Sequence, residues 1–320
     1  MQLPTLQDIE AAAQVVYRDF QATPQYRWAL LSQRLGADCW VKHENHTPVG
    51  AFKIRGGLTY FDALRRQAAL PREVVGATRG NHGQSIGWAA RAHGVACTIV
   101  VPQGNSVEKN AAMRALGVQL VEYGNDFQDS REHAMQLADL RGAHMVPSFD
   151  MALVCGVSTY WWEFFKAVPA MDVAYVPIGQ GSGVCAAIAA KLALQHPVRI
   201  VGVVSAHATT YADSLAAGHV VEAPVTTQLA DGMACRIADQ AALAIIAPHI
   251  DQIVKVTDDE VAQAMRNIYH DTHNVAEGAG AAAFAAAMQQ RELLKGLVVG
   301  ATLSGANVDS AVFAKVLANT

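Results

Sequence analysis

Residues 47–57 read Thr-Pro-Val-Gly-Ala-Phe-Lys-Ile-Arg-Gly-Gly, a turn that leads into a helix. The proline and the glycine two residues later predict the turn, and from Phe52 onward the pattern suits a helix start. Lys53 follows an aromatic residue in a run that is poor in charge. Desolvation in such a place favours the neutral amine, which can attack an aldehyde and form a Schiff base. This stretch alone fits equally well with Lys53 and Arg55 as solvated charges on a first helical turn.

Outward from this turn, short apolar strands alternate with helices along the whole chain. We predict strands at residues 39–44, 74–77, 95–101, 118–123, 143–146, 173–178, 199–204, 254–256 and 296–303. We predict helices at residues 5–20, 26–35, 53–66, 83–93, 106–116, 127–141, 155–168, 183–194, 209–217, 258–270, 276–290 and 308–317. Residues 223–236 are predicted to form a long irregular segment. The alternation indicates an α/β protein built on parallel sheets with helices on their faces.

The composition favours a large buried core and gives no support for binding nucleic acid or membranes. The chain has 320 residues, which suits two domains, and 52% of them are apolar and 16% charged. Its net charge of −4 gives no electrostatic reason to bind nucleic acid or an anionic membrane. The N-terminal residues lack a signal-peptide pattern, and apolar stretches such as 278–288 are too short to span a bilayer. The five cysteines are widely spaced, so we expect buried thiols in a reducing cytoplasm.

A polar loop at residues 77–85, Ala-Thr-Arg-Gly-Asn-His-Gly-Gln-Ser, follows a predicted strand and precedes a predicted helix. Open parallel sheets bind ligands at this end of their strands. Backbone amides at the start of the helix suit a carboxylate, and the Asn81 amide can bond a ring hydroxyl. The alternative is an ordinary strand-to-helix turn that is capped by Asn or Ser.

A second loop at residues 177–183, Pro-Ile-Gly-Gln-Gly-Ser-Gly, has alternate glycines before a predicted helix. Such a backbone can wrap an anion, the helix points its amide end at the anion, and Ser182 adds a hydroxyl donor. The spacing is not that of a dinucleotide fingerprint, and the next strand ends at Val204-Ser205 without the acidic residue that a ribose needs. A single phosphate therefore fits better than a pyrophosphate. The alternative is a flexible turn that binds nothing.

The last stretch of this kind is Thr-Leu-Ser-Gly-Ala-Asn at residues 302–307. Ser304 ends a buried strand just before a glycine turn, so its hydroxyl could bond a heterocyclic nitrogen. The alternative is a serine that caps the following helix.

These four stretches, in this order, resemble one family of enzymes. The Gly-Ala-Phe-Lys-Ile-Arg-Gly turn, Gly-Asn-His loop, glycine-rich phosphate loop and Ser-Gly-x-Asn end are similar to those of fold-type II pyridoxal-phosphate enzymes, in the threonine dehydratase and serine racemase branch. The resemblance covers nearly the whole chain. It implies two doubly wound, open twisted sheets of the tryptophan synthase β type, with the active site between two domains. It also implies a large cofactor-binding domain at 1–70 and 148–320, a small mobile domain at 71–147, and a cytoplasmic homodimer.

The resemblance also implies roles at matching positions. Lys53 would hold pyridoxal 5'-phosphate through a Schiff base and shuttle the α-proton, with Phe52 beside the ring. Asn81 would bond the ring hydroxyl, Ser304 would face the pyridine nitrogen, and Gly232 would approach the cofactor. The residues that would hold the phosphate are Gly179, Gln180, Gly181, Ser182 and Gly183. The residues that would hold the substrate carboxylate are Thr78, Arg79, Gly80, Asn81 and His82.

The chain departs from the family pattern at the active site. Gln180 and Ser182 interrupt what is usually a run of consecutive glycines. The racemase branch has a serine where this chain has Arg79, which argues against an acid or base on the second face of the substrate.

The cation sites of the family match only in part. The racemase branch has an acidic metal cluster where this chain has Val204, Ala208 and Thr210, so a divalent metal is not expected there. Glu277 matches a cation-site glutamate, which leaves room for a monovalent cation.

The expected reaction is β-elimination. A hydroxyl opposite the ring nitrogen does not hold it protonated as a carboxylate would, so loss of a β-substituent is favoured over transamination. We expect conversion of an L-threo-3-hydroxy amino acid to a 2-oxo acid and ammonia. Threonine or serine is the family default, and the altered Arg79 and Gln180 make 3-phenylserine or 3-hydroxyaspartate equally good candidates. The alternatives are a pyridoxal-phosphate-dependent amino-acid racemase and a catalytically silent protein that binds small anions.

Overall fold

A computed structural model describes residues 2–318, which form ten strands and thirteen α-helices. The strands are β1 (Gln25–Arg27), β2 (Asp38–His43), β3 (Glu73–Ala77), β4 (Ala96–Val101), β5 (Gln119–Glu122), β6 (His144–Met145), β7 (Val173–Pro177), β8 (Arg199–Ser205), β9 (Gln252–Val256) and β10 (Val298–Leu303). The helices are α1 (Leu6–Val16), α2 (Ala29–Leu35), α3 (Lys53–Arg66), α4 (Asn81–Ala92), α5 (Val107–Ala115), α6 (Phe127–Arg141), α7 (Met151–Ala167), α8 (Ser182–Leu194), α9 (Thr210–Ala217), α10 (Gln240–Ile246), α11 (Asp258–Thr272), α12 (Gly278–Gln289) and α13 (Ser310–Ala318).

The strands form two sheets. The larger has the order β1-β2-β10-β7-β8-β9, and the smaller has the order β5-β4-β3-β6. Within residues 2–318 every strand pairing is parallel except that of β1 with β2. β10, the last strand of the chain, lies between β2 and β7. The loops that follow β2, β7 and β10 therefore meet at one edge, where open α/β sheets form their ligand sites.

Helices cover both faces of each sheet. In the larger sheet, one face packs on α11 and α12, where Phe284 is buried, and the other packs on α7 and α8 around Trp161. In the smaller sheet, Ile86 of α4 lies in the core of one face and Ala134 of α6 in that of the other. The predicted α/β fold with two doubly wound sheets is therefore confirmed.

Local sequence signals locate several helices well. The predicted helix at 127–141 has the same bounds as α6, because Asp126 accepts a hydrogen bond from Asp129 N at 2.9 Å and Gly142 ends the helix at φ +61°. The predicted helix at 53–66 coincides with α3.

Two predicted helices were wrong in part, and one helix was missed. Residues 26–35 do not form one amphipathic helix, because Gln25–Arg27 pair with β2 as an antiparallel edge strand before α2 begins. α7 begins at Met151 rather than at residue 155, since the Asp150 side chain caps it at Ala152 N. α10 was not predicted. It has only seven residues, capped by Asp239, and so gives little periodic signal.

The division into domains at 1–70 with 148–320 and at 71–147 stays a prediction. The core of the smaller sheet includes Tyr60 and Phe61 of α3 and Leu153 of α7, which lie outside the 71–147 range.

All five cysteines are free, and all but the half-buried Cys155 are buried. No helix in residues 2–318 combines the length and the apolar character that crossing a membrane requires.

Candidate active site

The Lys53 turn is fixed to the end of β10. Phe52 N donates a hydrogen bond to Ser304 O at 3.0 Å, and Ala51 forms an antiparallel bridge with the residue after Ser304. The Thr47 hydroxyl closes the turn, since it accepts from Ala51 N at 2.9 Å and donates to Ala51 O at 2.8 Å. These bonds bring Lys53 and Ser304 together from opposite ends of the chain.

The glycine loop after β7 forms a cradle at the start of α8. A Cβ on Gly179 would lie 2.4 Å from Gly232 O, and Gly181 has φ +98°, so both positions need glycine. No side chain caps the first turn of α8, where Ser182 and Gly183 are buried. Buried amide donors without a capping side chain suit a phosphate. The loop therefore fits the phosphate of the expected cofactor.

One cavity joins this loop to the Lys53 turn. Every residue that we assigned to the cofactor lines it, namely Phe52, Lys53, Asn81, residues 179–183, Gly232 and Ser304. The cavity thus brings together all four stretches that the sequence singled out.

A second cleft adjoins this cavity and contains all five residues assigned to the substrate carboxylate, namely Thr78, Arg79, Gly80, Asn81 and His82. Lys53, Asn81 and Gln180 line both spaces, so Lys53 stands at their junction. α4 begins at Asn81 rather than at residue 83, and no side chain caps its first turn. The amides of that turn are therefore suited to a carboxylate.

The environment of Lys53 favours the neutral amine. Burial lowers the pKa of Lys53, and Cys235 and Glu277 only partly oppose this effect. The Nζ atom lies 4.8 Å from the centre of the Phe52 ring. Lys53 is half-buried and lines both spaces, which argues against a freely solvated charge and suits a nucleophile or base.

Arg55, the other charge of that turn, is also not solvated. It is fully buried and donates to Glu44 Oε2 at 2.7 Å and to Glu163 Oε1 at 2.7 Å. Lys42, also fully buried, donates to Glu163 Oε2 at 2.6 Å. Two cations and two carboxylates thus form a neutral network beneath the first turn of α3, which holds Lys53 in place from the interior side.

His82 acts as a neutral group in this site. Burial lowers the pKa of His82 to about 3, and its Nε2 lies 3.0 Å from Pro147 O. A neutral imidazole can donate to that carbonyl, so the ring anchors the loop and is not suited to serve as a base near pH 7.

A buried ionic cluster lies next to Asn81. Asn81 Nδ2 donates to Glu277 Oε1 at 2.6 Å, and Lys109 Nζ lies 2.6 Å from Asp231 Oδ2 and 3.3 Å from Glu277 Oε2. Burial opposes the charge of Lys109, but Glu277 and Asp231 outweigh it and raise the pKa of Lys109. The ammonium therefore remains charged and joins α5 of the smaller sheet to residues that flank the larger one.

The sequence did not single out Lys109 or Cys235 as site residues. Both line the second cleft, where Gln180 Nε2 donates to Cys235 Sγ at 3.0 Å. Lys109 lies in a polar first helical turn, and its acidic partners are far away in the chain. Only its burial in the folded protein distinguishes Lys109 from a surface lysine, so the sequence alone could not identify it as a site residue.

Ser304 does not cap a helix, because α13 begins only at Ser310. The side chain is buried, and its hydroxyl makes a long hydrogen bond of 3.4 Å to Ala279 O. The hydroxyl therefore remains available to a ligand in the cavity.

No group of three or more His, Cys, Asp or Glu side chains that could hold a metal ion occurs within residues 2–318. Glu277, the residue assigned to a monovalent cation, has the Lys109 ammonium 3.3 Å from its Oε2, and the cation stays a prediction.

The fold and the lysine-containing cavity define a pyridoxal-phosphate-dependent enzyme. A family model described as "Pyridoxal-phosphate dependent enzyme" matches residues 16–305, and the chain belongs to this family. Its relatives include an L-threonine ammonia-lyase of Geobacter sulfurreducens, which is 37% identical over 281 residues, 87% of this chain and 69% of the relative.

Two further comparisons cover almost the whole chain. An L-threo-3-hydroxyaspartate ammonia-lyase of Saccharomyces cerevisiae is 29% identical over 318 residues, 99% of this chain and 97% of the relative. The structure of the processed form of threonine deaminase isoform 2 from Solanum lycopersicum has a TM-score of 0.90 at 30% identity and covers 98% of this chain and 92% of that one. The predicted membership of the threonine dehydratase and serine racemase branch is therefore confirmed.

Proposed function

We propose that this protein is an ammonia-lyase that converts an L-threo-3-hydroxy amino acid to a 2-oxo acid and ammonia. The observation that carries the proposal is the convergence of Lys53, the glycine loop, Ser304 and the start of α4 on two adjoining spaces. The relatives named as threonine and 3-hydroxyaspartate ammonia-lyases support the reaction type. The candidate substrates are threonine and 3-hydroxyaspartate, after which these relatives are named, together with serine and 3-phenylserine.

The residues of the cavity fit pyridoxal phosphate. The uncapped first turn of α8 suits its phosphate, and the Ser304 hydroxyl suits its ring nitrogen. The lowered pKa of Lys53 suits a covalent link to its aldehyde. When bound, this cofactor withdraws electrons from the Cα of the amino acid, so that the Cα proton can leave.

The residues of the chain would position the substrate and move its proton. The α-carboxylate would accept hydrogen bonds from the first-turn amides of α4, next to Asn81 and His82. The Lys53 amine, at the junction of the two spaces, would take the proton from Cα. The Cβ–O bond would then break, and the hydroxyl would take up a proton and leave as water. The released enamine would tautomerise to an imine, which one water molecule hydrolyses to the 2-oxo acid and ammonia.

The chain offers little for racemisation. A racemase needs an acid or base on each face of Cα, and residue 79 is an arginine where the racemase branch has a serine. An arginine does not exchange protons near pH 7.

Four further properties are proposed on the family resemblance alone. They are a homodimer, a cytoplasmic location, a mobile small domain at 71–147 and a monovalent cation beside Glu277.

The test uses the holoenzyme and a panel of L-threonine, L-serine, L-threo-3-phenylserine and L-threo-3-hydroxyaspartate, with release of 2-oxo acid as the readout. The parent should carry a visible absorbance band and turn over at least one substrate. Lys53→Ala should lose both the band and turnover, whereas Lys295→Ala, which alters an exposed surface lysine, should keep both. Near-normal activity of Lys53→Ala, or efficient racemisation by the parent, would refute the proposal.

A further inference from the structure

Arg79 contributes a positive charge to the substrate cleft that no acidic side chain matches. It lies in the loop between β3 and α4, and its side chain is half-buried. Its Nε is buried, and no acceptor within the described residues 2–318 takes a hydrogen bond from it. Two neighbouring cations differ from it, because Lys109 pairs with Asp231 and Arg236 pairs with Asp126.

Asp231, the acidic side chain that lines this cleft, is paired with Lys109 at 2.6 Å, so within the described residues no free carboxylate of the cleft balances Arg79. Gln180 and Cys235 line the same cleft and are linked by the hydrogen bond from Gln180 Nε2. Burial raises the pKa of Cys235 to about 11, although Gln180, Lys53 and Arg79 act in the opposite direction, so the thiol is neutral near pH 7. Phe127 adds an apolar surface. An anionic group at this place would therefore have to come from a ligand.

The mouth of the cleft continues this positive character. Arg79, Phe127 and Gln180 also line a smaller outer pocket, together with Arg131 and Arg236. Asp126 is the acidic residue of that wall and pairs with Arg236 at 3.0 Å. Arg236 also pairs with Glu222 at 3.2 Å, so three arginines face two carboxylates, and the approach keeps a positive balance in a chain whose net charge is −4. Such an arrangement attracts anionic ligands.

The α-carboxylate of a substrate does not require Arg79. The amides at the start of α4 serve that group, and every amino-acid substrate brings it together with a compensating ammonium. An unpaired guanidinium beside this subsite therefore matches a second anion on the substrate. Arginine suits a carboxylate better than lysine does, because its planar group donates two parallel hydrogen bonds.

We propose that Arg79 is a specificity-determining residue that binds a carboxylate on the substrate side chain. The enzyme would then prefer 3-hydroxy amino acids with a second carboxylate over those with a methyl or phenyl group. This inference rests on the proposed ammonia-lyase function and names the substrate class of that same site. Gln180 and Cys235 form the neutral part of the side-chain subsite, and Phe127 its apolar edge.

The test compares kcat/KM for L-threo-3-hydroxyaspartate, L-threonine and L-threo-3-phenylserine in the parent, Arg79→Lys and Arg79→Gln. The parent should prefer 3-hydroxyaspartate. Arg79→Gln should lower its kcat/KM roughly 10- to 100-fold, the range for losing a hydrogen bond to a charged group, and mainly through KM. Threonine should change by less than about 3-fold, because it has no second carboxylate for Arg79 to bind. Arg79→Lys should retain part of the preference, and Arg199→Gln, on the surface of the larger sheet, should change nothing.

A binding measurement separates this inference from the proposed function. L-Aspartate and L-asparagine differ in the second carboxylate, and their binding can be followed through the visible absorbance of the bound cofactor without turnover. The parent should bind aspartate more tightly, and Arg79→Gln should remove the difference. If no substrate yields a 2-oxo acid, the ammonia-lyase function is refuted. The comparison of aspartate with asparagine would still test the role of Arg79, because it needs no turnover. Equal binding of the two ligands by the parent, or a higher kcat/KM for threonine or 3-phenylserine, would overturn the inference.

Discussion

Replacing Arg55 with methionine should destabilise the protein strongly, although Arg55 lies outside the two clefts. Its guanidinium is fully buried and donates to Glu44 at 2.7 and 2.9 Å, to Glu163 at 2.7 and 3.0 Å, and to Thr159 at 2.9 Å. Methionine fills a similar part of this space but provides no positive charge. Glu44 then loses its cationic partner, whereas Glu163 keeps Lys42 at 2.6 Å.

The expected loss is about 3–5 kcal/mol of the free energy of unfolding, the range for removing one partner of a buried ion pair. For 320 residues, with an entropy of unfolding of about 2.1 cal/mol/K per residue, the corresponding decrease in Tm is roughly 4–7 °C. The loss arises mainly from the uncompensated Glu44 carboxylate. Adding Glu44→Gln to Arg55→Met should therefore restore part of the stability, because the remaining side chain no longer carries a buried charge.

Urea unfolding of the parent, Arg55→Met, the double variant and Arg27→Met gives the measurement. Arg27 pairs with Asp38 at 2.9 Å, but the two side chains are 54% and 50% exposed. Its loss should cost less than about 1 kcal/mol. A loss below about 1 kcal/mol in Arg55→Met, or a double variant less stable than the single one, would refute this account of the network.

Three further predictions concern the cofactor cavity. Gly179→Ala should weaken pyridoxal-phosphate binding by at least roughly 10-fold, because the new Cβ would lie 2.4 Å from Gly232 O. Ser182→Ala should weaken binding less. Equal cofactor titration curves for the two variants would contradict the role of the glycine loop in holding the phosphate. Ser304→Ala should lower kcat and largely keep cofactor binding, and a variant indistinguishable from the parent in both would remove Ser304 from the site. The rate at which apoenzyme takes up the cofactor should increase with pH through a midpoint below 10.5, since the reactive amine is the deprotonated form and burial lowers the pKa of Lys53. A stopped-flow midpoint at or above that of Nα-acetyl-lysine would show that burial does not act on this amine.

Short-range signals in the sequence determined much of the fold. α6 could be predicted with both ends, because Asp126 supplies the capping carboxylate and Gly142 the left-handed residue that ends the helix. The bounds of α3 could be predicted from the turn at Pro48 and Gly50 that precedes it, and the position of the glycine loop from its glycines after an apolar strand. These features depend on a residue's own conformation and on neighbours a few positions away, which a single sequence displays directly.

The positions of the candidate site residues in the chain could also be predicted, but how they meet could not. The bridge from Ala51 to Gly305 joins the Lys53 turn to Ser304, and it forms only because β10 lies between β2 and β7. The edge strand β1 depends in the same way on pairing with β2. Such contacts depend on strand order, which local propensity does not encode.

The state of the charges was decided by the tertiary structure alone. From the sequence, Arg55 and Lys53 could have been solvated residues of a helical turn, and Lys109 could have been a surface lysine. Arg55 is instead buried with two glutamates, and Lys109 with Asp231 and Glu277, whereas Arg79 has no acidic partner among residues 2–318. A side chain's pKa and partners are set by burial and by groups distant in the chain, so these properties exist only once the fold has formed.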